Sequence, residues 1–403
     1  MNRIISLLRS VSRLLKLVGR EFILAAISFS TGKYREARAH TRSALQVLHE
    51  DLASIAGLRG VSVAGQAVED VSRVLIVKLD RIGDMVNTTP VFDVLRAQYP
   101  NAKLDLCGHP AVLTLLEGDS RIDRRFAFSS ALYHEAPIRI PSFGDWKMIR
   151  QLWRAQYPII VYLRGSFPFL LLALRSPFFS SKFVEGEPVI CRYLRAIGHI
   201  PRENGLFLAP SLNVTTTSRR RVSEMYPRRH GRQRVIVHAV SAAEGKQWPL
   251  ERFAKVADEL VTRMSVDVIF LATPSEITKL EEIRSLCSQW HRFVTELSLP
   301  EVVAAIADAD LFIGNDSGLA HIAAAVGTYG VVIWGAANLN MARPIAPPEN
   351  CSILYREVSC RATCNEERCT SADYIKCLRM IDESEVVDAA ISLLQKNQPQ
   401  VLS

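Results

Sequence analysis

Val74-Leu-Ile-Val-Lys-Leu79 is the most informative stretch of this chain: five apolar residues in six, two of them valine and one isoleucine. A short, continuous apolar run of this kind reads as a strand buried on both faces, the pattern of a parallel sheet. Working outward, a helical pattern covers Thr89 to Gln98 and a second strand reads at Lys103–Cys107. The alternation continues with a helix near Asp145–Gln156, a strand at Ile159–Leu163, and helical segments around 168–175 and 188–198. Between residues 200 and 234 it dissolves into Pro, Ser, Thr and Arg, a boundary signal. It then restarts: strand Val235–Val240, helix Leu250–Met264, strand Val266–Thr273, helix Ser275–Cys287, a weaker strand near Phe293–Leu297, helix Pro300–Ala309, strand Asp310–Gly314, helix Gly318–Val326, strand Gly330–Trp334. Two such series imply an α/β protein of two doubly wound parallel domains facing a cleft.

Composition agrees. The chain has 403 residues, 48% hydrophobic and 22% charged, enough for two cores and inconsistent with a disordered or collagen-like chain. No apolar run approaches the ~20 residues of a spanning helix. The net charge of +8 is concentrated: residues 1–20 hold five basic side chains and no acid, and residues 219–234 hold seven Arg and one Glu. The remainder is slightly acidic, which disfavours a nucleic-acid binder, whose charge spreads along a folded surface. No convincing signal peptide is present, and the scattered cysteines suit a reducing, cytoplasmic setting.

These features set the domain plan. Residues 1–70 read as a helical extension, 71–215 as the first domain and 216–234 as a basic linker. Residues 235–380 form the second domain and 381–403 a C-terminal helix and tail. In the extension, Ile4, Leu7, Leu8, Val11, Leu14, Leu15 and Val18 share one helical face while Arg9, Arg13, Lys16 and Arg20 share the other. Such a helix suits an anionic membrane surface or a docking site on protein. A second helix reads at Lys33–Ala56, and residues 57–70 read as a linker. The Arg-rich 219–234 is either a solvated connection or a surface for an anionic acceptor or headgroups.

Ligands of doubly wound sheets sit beyond the carboxyl ends of the strands, so the loops there carry the chemistry. After the first strand comes Ile82-Gly-Asp-Met-Val-Asn-Thr-Thr-Pro90, in which Asp84 is either a helix cap or a general base. No G-x-G-x-x-G is present. The first loop of the second domain, His238 to Pro249, is small-residue-rich and carries Lys246, a cation suited to phosphate or a solvated loop lysine; Trp248-Pro249 reads as a helix-entry staple. Gly314-Asn-Asp-Ser-Gly-Leu-Ala-His321 places Asp316, Ser317 and Gly318 at a strand-to-helix turn, an anion site by virtue of its free amides, with His321 one turn on.

Together these loops, with Lys246-Gln-Trp-Pro-Leu-Glu-Arg-Phe253 and Ala323-Ala-Ala325, resemble the heptosyltransferases of glycosyltransferase family 9 over roughly residues 73–380. The resemblance implies a GT-B fold of two Rossmann-like domains, an N-terminal one for the acceptor and a C-terminal one for a nucleotide sugar. It further implies inverting transfer, typically of heptose from an ADP-sugar to a lipopolysaccharide-type acceptor, without a catalytic metal or other cofactor. On this mapping Asp84 is the base and Lys246 stabilises the leaving diphosphate. Ser241, Asp316, Ser317, Gly318 and His321 hold donor phosphates and sugar, and Glu276 holds the donor ribose. Gly83, Asn87 and Thr88 form the acceptor-side loop. Gln247, Tyr329-Gly330 and Ala336-Ala-Asn338 depart from the family pattern. The implied setting is the cytoplasmic face of a bacterial inner membrane, with residues 1–20 as the membrane contact. A different nucleotide-sugar donor, or a non-catalytic glycan- or nucleotide-binding scaffold, are the competing readings.

Five of the eight cysteines lie between Cys351 and Cys377. Cys360, Cys364, Cys369 and Cys377 have the number of thiolates a structural zinc or iron–sulfur site needs, although their spacing lacks the paired C-x2-C of a zinc ribbon. Disulfides and plain thiols are the other readings.

Overall fold

The computed structural model describes residues 71–397 apart from 130–141, 165–168, 170, 173–175, 182–183, 185, 200–207, 365–368 and 370. The expectations for residues 1–70, the amphipathic helix included, lie outside the described residues.

The first sheet contains β1 (Arg73–Lys78), β2 (Lys103–Gly108), β3 (Arg124–Ala127), β4 (Ile159–Arg164) and β5 (Phe178–Phe179), all parallel, in the order β3-β2-β1-β4-β5. Val74, Leu75, Ile76 and Val77 of β1 are fully buried, alternate residues entering the cores on opposite faces of the sheet. That is why the strand reads as unbroken apolar sequence. Helices α1 (Ile82–Val86), α2 (Thr89–Gln98), α3 (Phe143–Ala155) and α4 (Val189–Ala196) cover the two faces. The start of α3 is set by a capping box in which Ser142 and Asp145 satisfy each other's backbone amides.

The second sheet contains β6 (Gln233–His238), β7 (Val266–Leu271), β8 (Arg292–Val294), β9 (Leu311–Asn315), β10 (Tyr329–Ile333) and β11 (Cys351–Leu354), again all parallel, in the order β11-β10-β9-β6-β7-β8. In both sheets the strand order reverses beside the first strand, between β1 and β4 and between β6 and β9. Those two switch points are where a crevice for ligand opens.

Three strands escaped the sequence pattern: β3, β5 and β11. Each is short and near an edge, and β3 is half-exposed Arg-Arg-Phe-Ala. The basic linker expected over 216–234 is corrected. Residues Thr216–Met225 form a helix, α5, whose Val222 packs against Ala304 and Ala305 of α8 (Leu299–Ala307), and β6 starts at Gln233. Its arginines are largely neutralised by carboxylates: Arg221 pairs with Glu301 at 2.7 Å, Arg228 with Asp310 at 2.9 Å and Arg234 with Asp308 at 2.7 Å. Arg229 and Arg220 sit near Asp267 and Glu224 at 3.5 and 3.7 Å. The segment is therefore an ion-paired flank of the second domain. Among the described residues, no helix is long and apolar enough to cross a membrane.

The two domains touch closely at α1 and α9 (Gly318–Ala325). A Cβ on Gly318 would lie 2.8 Å from Ile82 Cβ, and one on Gly83 would lie 2.8 Å from the His321 ring. Glycine at these two positions is what lets the loops of the two switch points meet.

Candidate active site

Asp84 lies in the first turn of α1, but its side chain makes no capping hydrogen bond, so it is not the helix cap that spacing alone allowed. Instead Oδ1 accepts from the Tyr193 hydroxyl at 3.0 Å, and Lys78 Nζ stands 3.9 Å away. The side chain remains 38% exposed, which leaves the carboxyl accessible at the crevice. Burial raises its pKa above the ordinary carboxylate value and nearby Asp80 adds to that, while Lys78, Arg164 and the Tyr193 hydrogen bond pull it down. A carboxyl so poised can accept a proton from a hydroxyl.

Two of its neighbours in the motif are buried. Thr88 is completely buried and its hydroxyl donates to the Asp84 carbonyl at 2.8 Å. Asn87 is 3% exposed, with its own N–H bonded to the Gly83 carbonyl at 3.0 Å. Both shape the turn from behind, and Gly83 gives way to His321. Of the residues expected in the acceptor-side loop, Asn87 and Thr88 are buried behind Asp84 and Gly83 is half-buried against α9.

Across the contact, Lys246 Nζ pairs with Asp316 Oδ2 at 2.9 Å, joining the β6 and β9 loops. An ionised Asp316 repels phosphate, and its pairing aims Lys246. Ser317 precedes α9 without capping it, and its Oγ stands 3.4 Å from His238 Nδ1. The free amides at the start of α9 lie beside it. His321 is buried, and burial with the charge of Lys246 pushes its pKa down to about 4. Its ring bonds the Ala342 backbone, while Nδ1 has no hydrogen-bond partner. His321 is therefore a neutral polar group with one unused nitrogen.

The Lys246 loop is held from several sides. Gln247 accepts the Ser241 N–H at 2.7 Å and donates to the carbonyls of Ala239 and Trp248, so the family-atypical glutamine closes the loop on itself. Asn315 donates to the Ala239 carbonyl and accepts the Trp248 N–H. Ser241 Oγ is shared with Ala243 at 3.2 Å. Beside Ser241 opens a cavity of about 700 Å³, lined also by Glu244, Gln247, Lys279, Tyr374 and Arg379. Glu276 holds a helix start by a capping box with Thr273, its Oε2 accepting from that residue's N–H and hydroxyl. Any contact of Glu276 with a ribose falls to Oε1.

The Cys-rich segment flanks this loop. Arg361 donates to the Gly335 carbonyl at 2.8 Å, and Tyr374 donates to Glu244 at 2.7 Å. Cys369 Sγ accepts the Ile375 N–H at 3.2 Å. Cys377 is buried, its pKa raised by burial and by the nearby Cys364 and Cys360. Among the described residues, the group of His, Cys and carboxylate ligand atoms lying within 4.8 Å of one another is Asp258, Cys287 and His291. There Asp258 already accepts the N–H groups of Ser288 and Gln289 and pairs with His291.

Sequence reading found Asp84, Lys246, Asp316, Ser317, Gly318 and His321, and the fold brings their loops together. It missed Lys78, Asp80, Arg164, Tyr193 and His238. A lysine inside an apolar strand was the one available signal.

Two facing Rossmann-like sheets with a charged crevice between their switch points make this a GT-B protein. Residues 195–372 match the profile of glycosyltransferase family 9 (heptosyltransferase). The chain is 26% identical over 292 residues to lipopolysaccharide heptosyltransferase 3 of Escherichia coli, an alignment spanning 65% of this chain and 83% of that one. In structure it resembles the family 9 glycosyl transferase of Veillonella parvula, with TM-score 0.67, 18% identity and coverage of 81% and 98%. It also resembles the E. coli ADP-heptose LPS heptosyltransferase II, with TM-score 0.65, 18% identity and coverage of 81% and 100%. Residues 195–372 thus carry the match to glycosyltransferase family 9, and the chain is a glycosyltransferase similar to the heptosyltransferases.

Proposed function

We propose that the protein transfers heptose from ADP-heptose to a lipopolysaccharide-core type acceptor, with inversion and without a catalytic metal. The observation that carries this reading is the contact between α1, which bears Asp84, and α9, whose preceding loop holds the Lys246–Asp316 pair. Asp84 takes the proton of the acceptor hydroxyl as it attacks the anomeric carbon. Lys246 and the amides at the start of α9 neutralise the departing diphosphate. Base and leaving-group cation come from opposite domains, the geometry a single in-line displacement needs, and such a displacement inverts the anomeric centre. The cavity beside Ser241, with Lys279 and Arg379, takes the nucleotide. The relatives named for lipopolysaccharide heptose transfer support the donor and acceptor class. The site of action on this reading is the cytoplasmic membrane face, with the basic residues 1–20 as its contact.

The test is ADP release from ADP-heptose with a heptose-deficient core acceptor. Asp84→Asn is expected to lose about 10²–10⁴-fold in turnover while still binding ADP-heptose, the weight of a general base. Turnover by Asp84→Asn near the parent rate refutes the assignment. EDTA is expected to leave turnover intact. Metal analysis of the purified protein then tests, separately, a structural ion at Cys360, Cys364, Cys369 and Cys377.

A further inference from the structure

Behind Asp84 lies a set of buried charges that the transfer step does not itself use. Lys78, the last residue of β1, is completely buried. The pairing of β1 with β4 slips by a residue between Val77 and Lys78, which sets Lys78 opposite Arg164. Lys78 Nζ contacts Asp80 Oδ2 and the Tyr193 hydroxyl, lies 4.0 Å from the centroid of the Tyr193 ring, and stands 3.9 Å from Asp84 Oδ1. Asp80 Oδ1 takes Arg164 Nε at 2.9 Å. Tyr193, 4% exposed on α4, passes its proton-donor side to Asp84 Oδ1 at 3.0 Å.

Two cations, Lys78 and Arg164, stand behind two carboxylates, Asp80 and Asp84. Asp80 bridges the cations, its Oδ2 on Lys78 and its Oδ1 on Arg164, so one carboxylate is shared by two cations and an ionised Asp84 supplies the second negative charge. A buried charge such as Lys78 adds little stability compared with apolar packing, so stability alone is a poor reason for placing it here. The chain from Lys78 to Asp84 is also directional: Lys78 donates to the Tyr193 hydroxyl, which in turn donates to Asp84 Oδ1.

We infer that Lys78 and Tyr193 are positioning residues for Asp84, pinning Oδ1 so that Oδ2 faces the acceptor hydroxyl and favouring the ionised carboxyl at the half-buried crevice wall. This rests on Asp84 being the base. The other titratable groups around it are Asp80 on the β1 loop and Arg164 at the end of β4, while His321 on α9 packs against the adjacent Gly83. His321, pushed down to about 4, is neutral over the working range. Tyr193 is held well above its ordinary pKa by burial and by the two carboxylates, and so stays a donor.

The experiment is the pH dependence of kcat/KM for Tyr193→Phe and Lys78→Met beside the parent enzyme. Tyr193→Phe removes one oxygen from a packed ring. It is expected to lose about tenfold in turnover, the weight of a hydrogen bond to a charged group, with the KM for ADP-heptose unchanged. Its acid limb is expected to move to higher pH, since a donor to the carboxylate has gone. Lys78→Met is expected to move the limb further the same way. An unmoved acid limb in Tyr193→Phe overturns the inference, whether or not the rate falls, because a merely structural role lowers rate without moving the limb. If Lys78→Met does not fold, Tyr193→Phe decides alone. Full turnover by Asp84→Asn would instead overturn the base assignment, so the two failures are distinguishable.

Discussion

Asp84 owes its chemistry to its surroundings. Burial lifts its pKa above the usual carboxylate range and the cations behind it partly restore it. The base works only when ionised, so its activity falls as pH drops through that raised value. The acid limb of the kcat/KM profile is therefore expected above the ordinary carboxylate range. His321, at about 4, holds no charge there, so His321→Gln is expected to leave the position of that limb unchanged. A limb that moved with His321 would contradict its neutral role. Lys246→Met removes the cation nearest the leaving group and is expected to cost about 10²–10³-fold in turnover, the scale of one transition-state electrostatic contact. ADP release at saturating donor checks it. At this scale Asp84 and Lys246 were legible as candidates because each lies in the loop after an apolar strand, and their roles came from the motifs that resemble the heptosyltransferases. Tyr193 was not: it is 109 residues from its partner, and nothing local marks a tyrosine whose hydroxyl meets a distant carboxyl.

At the scale of elements, the Lys246 loop is held by packing on both sides. Trp248 reads in sequence as a helix-entry staple, yet it is a fully buried core side chain, edge-on to Phe253 at 4.9 Å and donating to the Ile381 carbonyl at 3.2 Å. Trp248→Ala is expected to destabilise by about 3–5 kcal/mol, the usual cost of emptying a large aromatic site, read as a fall in the denaturation midpoint. Gly335, after β10, is more exacting. A Cβ there would lie 2.2 Å from the Gly245 carbonyl oxygen, which accepts the Ala336 N–H at 3.0 Å. Gly335→Ala is expected to displace the Lys246 loop and weaken ADP binding by calorimetry, with little change in midpoint. Undiminished ADP affinity would show that the loop can shift without consequence. The central strands were legible because burial on both faces writes itself as unbroken apolar sequence. Strand β3 and the two-residue β5 were not, since a half-exposed or very short edge strand has no pattern to offer. Helix α5 was hidden because its arginines look like a solvated linker until their carboxylate partners are seen.

At the scale of the molecule, the proposed active site lies where the two domains touch. Gly318→Val would drive side-chain atoms into Ile82 at the α1–α9 contact. It is expected to leave each domain folded, with an unchanged denaturation midpoint, but to open the crevice and abolish transfer while ADP binding survives. A matching increase in radius of gyration by solution scattering checks the cause, and full transfer by this variant would mean that the observed contact is not the working one. The sequence by itself determined the two series of β and α units, the boundary between them, and the loops that bear Asp84, Lys246 and the Asp316–His321 motif. These depend on local periodicity and on residue types at short range, which the chain carries wherever it goes. Only the tertiary structure decided that Asp84 is backed by Lys78 and Tyr193, that Lys246 is tied to Asp316, and that the Arg-rich segment is ion-paired. Those are electrostatic and steric relations between residues far apart in the chain, and they come into being only when both sheets are packed and the two switch points face each other.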